Sequence, residues 1–180
     1  MTITSTPAQQ LSDGQAAGTW ALQPATSSIA TATKHFWGLI TVRGTFTEAT
    51  GTATVGADGT ISAHLEVDAA SIDTKNRKRD EHLRSGDFFD AETHPAITFA
   101  TTDVAITGDA TAHVTGTLTA GGARHDVAFD ATITADSGDQ ATVTADVVVD
   151  HRALGMTWSP LGMAKPTTTL HLSLTFARGR

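Results

Sequence analysis

The side chains able to do chemistry concentrate in one stretch of this 180-residue chain. Lys75, Arg77, Lys78, Arg79 and Arg84 supply five of its 12 basic residues, interleaved with Asp80, His82 and Asp87. Arginine grips a carboxylate or phosphate with two parallel hydrogen bonds, so Arg79 and Arg84 are candidate contacts for an anionic headgroup. The competing reading is a solvated loop in which Arg79, Arg84, Asp80 and Asp87 pair with one another. Asp80 and His82 are of types that trade protons, yet on one short loop they suit a structural role better. The eight histidines include no pair two or four residues apart, the spacings that set two metal ligands on one strand or helix face, so no metal is expected. His64, His113 and His171 fall on polar strand faces, and His82 and His94 in a loop. The chain has no Gly-x-Ser-x-Gly elbow, no phosphate-cradling glycine loop and no cysteine, which leaves no signature of nucleophilic or nucleotide chemistry. The expectation is a protein that is not an enzyme and needs no cofactor.

Composition narrows the partners. Twelve Lys and Arg against 19 Asp and Glu give a net charge of −7, which repels a polyanion, so nucleic acid is excluded as a general partner. No apolar run approaches the ~20 residues a spanning helix needs, so no stable membrane insertion is expected. Residues 1–18 carry neither a basic start nor an apolar stretch. They read as a flexible lead before one domain over 19–180, and the protein reads as cytoplasmic.

What positions these groups is a set of strands. Ile61, Ala63, Leu65 and Val67 alternate with Ser62, His64, Glu66 and Asp68. Leu170, Leu172, Leu174 and Phe176 alternate with Thr169, His171, Ser173 and Thr175. This period of two gives each strand one dry face and one wet face, and threonine suits the pleated surface. Strands are expected near 27–36, 40–55, 60–71, 95–107, 110–120, 123–135, 140–151 and 167–178. Turn residues separate several of them, as at Asp58-Gly59, Gly121-Gly122 and Ser137-Gly138, so sequence neighbours pair antiparallel. No long amphipathic helix is available to cover the dry face, so the sheet must fold onto itself. A sandwich has the same alternation. A closed barrel of about eight strands is preferred, because the long 40–55 segment can follow a barrel wall, with Gly44 and Gly51 as bend points.

Several stretches together resemble the YceI-like family: Trp20 with Ser27-Ser28-Ile29 and Lys34-His35; Val42-Arg43-Gly44-Thr45-Phe46; Ile72-Asp73-Thr74; Arg79-Asp80-Glu81-His82-Leu83-Arg84-Ser85-Gly86-Asp87-Phe88-Phe89-Asp90; His94-Pro95-Ala96-Ile97-Thr98-Phe99; and Gly116-Thr117-Leu118-Thr119. The order and spacing carry the likeness. It departs at Gln23 and Thr26, where the family usually shows Asp and His. The resemblance implies an all-β, lipocalin-like closed antiparallel barrel with a short helical or loop insertion around 75–92, binding polyisoprenoid or another long apolar molecule.

The strand pattern then assigns an inward face: Ile29, Thr31, Val42, Phe46, Leu65, Val67, Phe99, Leu118, Phe129, Leu170 and Leu172, with Phe36 and Trp37 at an entrance. Ala63, Ala69, Ala112, Gly116, Ala131, Ala141 and Ala145 share that face, and so many small groups leave a void unless something fills it. The apolar segments 36–40 and 154–163 read either as a rim around the opening or as a lid, and the rim could rest on a membrane. Phe88-Phe89 read as a plug with one ring inward. The functional expectation is a carrier or storage protein holding one long isoprenoid- or fatty-acyl-like molecule. The alternative is a filled, ligand-free interaction or stress-response module. A homodimer is the one protein assembly kept open.

Overall fold

The computed structural model describes residues 5–179, the side chains of residues 137 and 160 excepted. In chain order the elements are α1 (Pro7–Ser12), β1 (Gly18–Leu22), β2 (Ser28–His35), β3 (Ile40–Phe46), β4 (Ala49–Val55), β5 (Ile61–Asp68), β6 (Ile72–Asp73), α2 (Arg77–Arg84), β7 (Ala96–Gly108), β8 (Thr111–Ala120), β9 (Ala123–Ser137), β10 (Gln140–Asp150) and β11 (Ala164–Arg178). Every expected strand is present. β1 and β6 are additions, five and two residues long, too short for alternation to announce.

Eight strands close a ring in the order β1-β4-β5-β7-β8-β9-β10-β11, with β11 returning to β1 through Trp20 opposite Arg178 and Leu22 opposite Phe176. All pairings are antiparallel. β11 has 15 residues and serves two neighbours: its C-terminal end pairs with β1, while Thr168 to Ser173 pair with β2. β2, β3 and β6 thus extend the wall at one end of the barrel. Closure removes the exposed edges that long Thr/Val-rich strands would otherwise present.

The expected 40–55 strand breaks between β3 and β4. The Thr47 amide donates to the Ser71 carbonyl and the Glu48 amide to the Ser71 hydroxyl, which takes Thr47 and Glu48 out of the ladder. The bend is therefore made by Ser71, not by Gly44 or Gly51. Gly44 is required for closeness instead: a Cβ there would lie 2.9 Å from the Thr74 methyl.

Residues 7–18 are not the flexible lead that their composition suggested. Thr6 and Gln9 form a reciprocal capping box at the start of α1, with a proline in its first turn, and these satisfy the orphan amides of a short helix. Leu11 and Ala16 are buried with Trp20 and Val55, and the Trp20 indole N–H donates to the Ala16 carbonyl at 2.9 Å. Tertiary packing stabilises a six-residue helix that could not persist alone. Residues 1–4 of that lead lie outside the described residues.

α1 closes the end of the barrel that carries the β4–β5, β7–β8 and β9–β10 turns; its Ala8 amide donates to the Asp109 carbonyl. The opposite end is covered by α2, by residues 85–95 and by the 151–163 connection. The buried core residues fall into three groups, one near each end and one between β1, β2, β5 and β11, joined through the partly buried Ile97, Leu172 and Phe176. No helix among the described residues is long and apolar enough to cross a membrane.

Candidate functional site

The space between those clusters is a cavity of about 520 Å³, inside the ~300–1,000 Å³ range of sites that enclose small molecules. Phe46, Leu65, Phe99, Leu118, Phe129, Leu170 and Leu172 point into it and are only partly buried. Phe99 and Phe129 touch each other, with ring centroids 5.8 Å apart, yet each of these side chains also borders the open space. Among the described residues Ile72 is the one large side chain buried essentially completely, which a close-packed interior of this size would not allow.

All the expected wall residues line the cavity: Ile29, Thr31, Val42, Phe46, Leu65, Val67, Phe99, Leu118, Phe129, Leu170 and Leu172, together with Phe36 at the entrance. Trp37 does not. Its backbone is left-handed, with φ 54°, and its ring turns outward, 79% exposed. Of the small residues, Ala63, Ala112, Ala131, Ala141 and Ala145 line the space. Ala69 lies in a short 3-10 turn beyond β5, buried outside the lumen. Gly116 makes room for a wall side chain, since a Cβ there would meet the Phe99 ring at 2.5 Å.

The two apolar segments meet at the end opposite α1, where the Phe36 amide donates to the Met163 carbonyl at 2.8 Å. They divide in character. Leu154 and Met156 are buried and pack with Ala120, Val127, Val147 and Val149 as a lid would, whereas Leu39 and Leu161 are 86% and 91% exposed, as a rim is. Phe88 and Phe89 both line the cavity, where one inward ring was expected. They sit in a turn after α2 instead of a strand, so the two rings are free to converge. Phe89 packs edge-on against Phe46 at 5.7 Å, and Phe88 against His82 and Trp158.

The charged stretch is organised around Thr74. Asp80, buried, accepts from the Thr74 amide at 2.9 Å and from its hydroxyl at 2.5 Å. Arg79 donates through Nε to the same hydroxyl and through Nη2 to the Thr74 carbonyl. Asn76 caps α2 by accepting from the Arg79 amide. Arg84 donates to the carbonyls of Ala70 and Ile72 and does not reach the cavity. As a headgroup contact it is corrected: its fork is spent tying α2 to the chain that precedes it. Asp80 and His82 are separated in function, because His82 pairs with Asp87 at 2.9 Å. The arginines and aspartates do not pair with one another. They meet at Thr74 and at backbone carbonyls.

Arg79 lines the cavity, as do His64, His82, which is paired with Asp87, and two further histidines. His35 ends β2 and His151 follows β10. Burial lowers the proton affinity of His35, and the positive charge of Arg79 lowers it further. Burial also lowers that of His151; Asp150 opposes the shift, and Arg152 and His35 add to it. Thr33 and Thr168 share a 2.7 Å hydroxyl contact beside them. The remaining lining is overwhelmingly apolar, so the lumen is a hydrocarbon-like chamber with one polar end.

Sequence reasoning missed His35, His151 and the floor residues Pro7 and Leu11 as lining residues, and placed Trp158 only within the 154–163 rim or lid segment. For the two histidines the signal was present. Ile29, Thr31, Thr33 and His35 continue one face of β2, and Val147, Val149 and His151 one face of β10.

A closed eight-stranded antiparallel barrel with one large apolar lumen defines a hollow, lipocalin-like architecture. The chain belongs to the YceI-like family, whose YceI-like domain model matches residues 20–176. Among solved structures it is similar to Burkholderia cenocepacia BcnA, with 21% identity, a TM-score of 0.77, and coverage of 86% of this chain and 98% of that one. It is also similar to a Saccharophagus degradans structure described as a polyisoprenoid binding domain implicated in plant cell wall breakdown, with 14% identity, a TM-score of 0.76, and coverage of 89% and 98%. At these identities the likeness establishes the fold. Curated relatives include a UPF0312 protein of Ectopseudomonas mendocina, 37% identical over 75 residues, or 42% of this chain and 39% of the relative. A UPF0312 protein of Pseudomonas putida is 35% identical over 100 residues, or 54% and 52%. The chain thus spans about half or less of the curated relatives it matches.

Proposed function

We propose that this barrel is a non-enzymatic carrier or storage protein that encloses one long apolar molecule of isoprenoid or fatty-acyl type. The observation that carries the reading is the lumen itself: a cavity of about 520 Å³ bordered by inward leucines and phenylalanines that stay only partly buried. Apolar burial at roughly 25 cal/mol per Å² supplies the affinity, and the polar end supplies orientation. The polyisoprenoid-binding description of the Saccharophagus degradans domain supports the same ligand class. The filled-barrel alternative requires inward side chains packed against each other, and the partly buried wall counts against it.

The test is native mass spectrometry of protein purified from cells, followed by extraction of bound lipid and titration of the stripped protein with an apolar fluorophore. A stoichiometric lipid and saturable fluorophore binding are expected. Protein that carries no lipid and binds no fluorophore would overturn the proposal.

A further inference from the structure

We infer that the enclosed molecule is an amphiphile with an anionic headgroup, a carboxylate, phosphate or sulfonate, held where Arg79, His35 and His151 converge at the polar end of the lumen. The inference rests on the carrier reading and adds the chemistry of the head. Its first support is geometric. The three groups come from α2, β2 and the end of β10, and all three line the same cavity. His35 and His151 sit on opposite sides of β11, which pairs with both β2 and β10. Their backbones are thus at least about two strand spacings apart, roughly 10 Å or more, with His35 opposite Ala164 and His151 just past the Asp150–Thr167 pair, a gap with room for a headgroup.

The second support is that, among the described residues, no carboxylate pairs directly with them, although Asp80 shares the Thr74 hydroxyl with Arg79 and Asp150 lies behind His151. Among the described residues no carboxylate forms an ion pair with Arg79. Every acid nearby is already engaged. Asp80 is held by the Thr74 amide and hydroxyl, Asp87 by His82, and Asp150, behind His151, by both sides of the Arg152 fork. Arg79 spends Nε and Nη2 on Thr74, and its remaining nitrogen is the donor left for a ligand. A guanidinium and two imidazoles that disfavour one another's charge, set in an apolar chamber, form a site whose missing partner is an anion. Charge-assisted bonds to such a partner are about twice as strong as neutral ones. The chain as a whole repels anions at −7, so this local reversal is specific to the polar end.

An anion at this point also draws protons onto His35 and His151. Affinity for a permanently charged head therefore rises as pH falls through the range in which those imidazoles ionise, and affinity for a neutral head does not.

The experiment compares dodecyl sulfonate, whose charge does not titrate, with dodecanol, by calorimetry on the delipidated full chain at pH 7.5 and pH 5.5. The expected result is a preference for the sulfonate of about tenfold or more at pH 7.5, growing at pH 5.5. The preference falls toward unity in Arg79→Gln and loses its pH dependence in the His35→Asn/His151→Asn double variant. Because Arg79 also braces Thr74, Arg79→Lys provides a folded alternative that keeps the charge and loses the fork, and it lowers the preference without abolishing it. Lys34→Gln, on the outer face of β2, keeps the full preference. Inorganic sulfate at millimolar concentration does not displace the sulfonate if the ligand is an amphiphile; displacement would mean a free-anion site and overturn the proposal. Equal affinity for the two probes, or a preference indifferent to pH and to all three residues, also overturns it while leaving the carrier reading intact. Failure of both probes to bind overturns both.

Discussion

Ala145 on β10 and Leu172 on β11 lie directly opposite each other and both face the lumen. Exchanging their sizes one at a time reads out whether that space is empty. Leu172→Ala removes three carbons, worth about 0.8 kcal/mol each when wholly buried. Leu172 is only partly buried, so roughly half of that is at stake and the expected loss is about 1 kcal/mol. The same change in a close-packed core costs about 2–5 kcal/mol. Ala145→Leu is the sharper test, because the two cases differ in sign. Overpacking a filled core costs about 1–3 kcal/mol, whereas a leucine projecting into a chamber finds new apolar wall and leaves stability unchanged or up to about 1 kcal/mol higher. The same leucine occupies volume a ligand needs. If the guest loses contact for about two methylenes, the cost is about 1.6 kcal/mol, a fall of about tenfold in affinity. The assay is urea unfolding of delipidated protein followed by tryptophan fluorescence, with the slope checked for constancy, and fluorophore titration of the folded variants. An Ala145→Leu protein destabilised by more than about 1.5 kcal/mol would refute the hollow interior and the function built on it.

Further outcomes follow from single contacts. Gly116→Ala places a methyl within 2.5 Å of both the Phe99 ring and the Ala100 carbonyl, and a loss of about 1–3 kcal/mol in urea is expected, because the carbonyl belongs to the neighbouring strand and cannot move away. Trp20→Phe deletes the donor to the buried Ala16 carbonyl. It should cost about 1–3 kcal/mol and expose residues 5–17 to limited proteolysis while the barrel persists. Stability of the delipidated protein should fall as pH drops below 6.5, the ordinary histidine value. His35 and His151 have native affinities below that value, so the unfolded chain takes up protons first and acid favours it; above 6.5 the two make no such contribution. The His35→Asn/His151→Asn protein should show a flatter stability profile across that window, and an unchanged slope would mean that neither imidazole is sequestered.

The barrel was legible because its wall is repetitive. A period of two persists through β5, β8, β9, β10 and β11, and hairpin turns set the order of neighbours, so strand positions and the inward face could be read from local pattern alone. What pattern could not supply was anything made by contact between distant segments. The bend after Phe46 comes from Ser71, which reaches back across more than twenty residues to take the amides of Thr47 and Glu48. α1 exists because Trp20 and Val55 receive Leu11, a circumstance no window around residues 7–12 reveals. The charge-rich stretch misled for the same reason. Its arginines seemed matched to its own aspartates, yet Arg84 is spent on backbone carbonyls and Arg79 on Thr74.

The histidines show a subtler failure. His35 and His151 each continue an inward alternation, so their direction was readable, but their significance was not, since a single inward imidazole on one strand is an ordinary occupant of a wall. Only closure of the sheet, which puts β2 and β10 on either side of β11, and the placing of α2 at the same end, turn two isolated imidazoles and one arginine into a single polar pole. The apolar wall and that pole place different demands on a guest. The wall rewards length and imposes little geometry, because dispersion and hydration depend on area. The pole rewards one charge at one end. A molecule satisfying both has a preferred direction in the barrel, tail toward Leu11 and α1 and head toward Arg79.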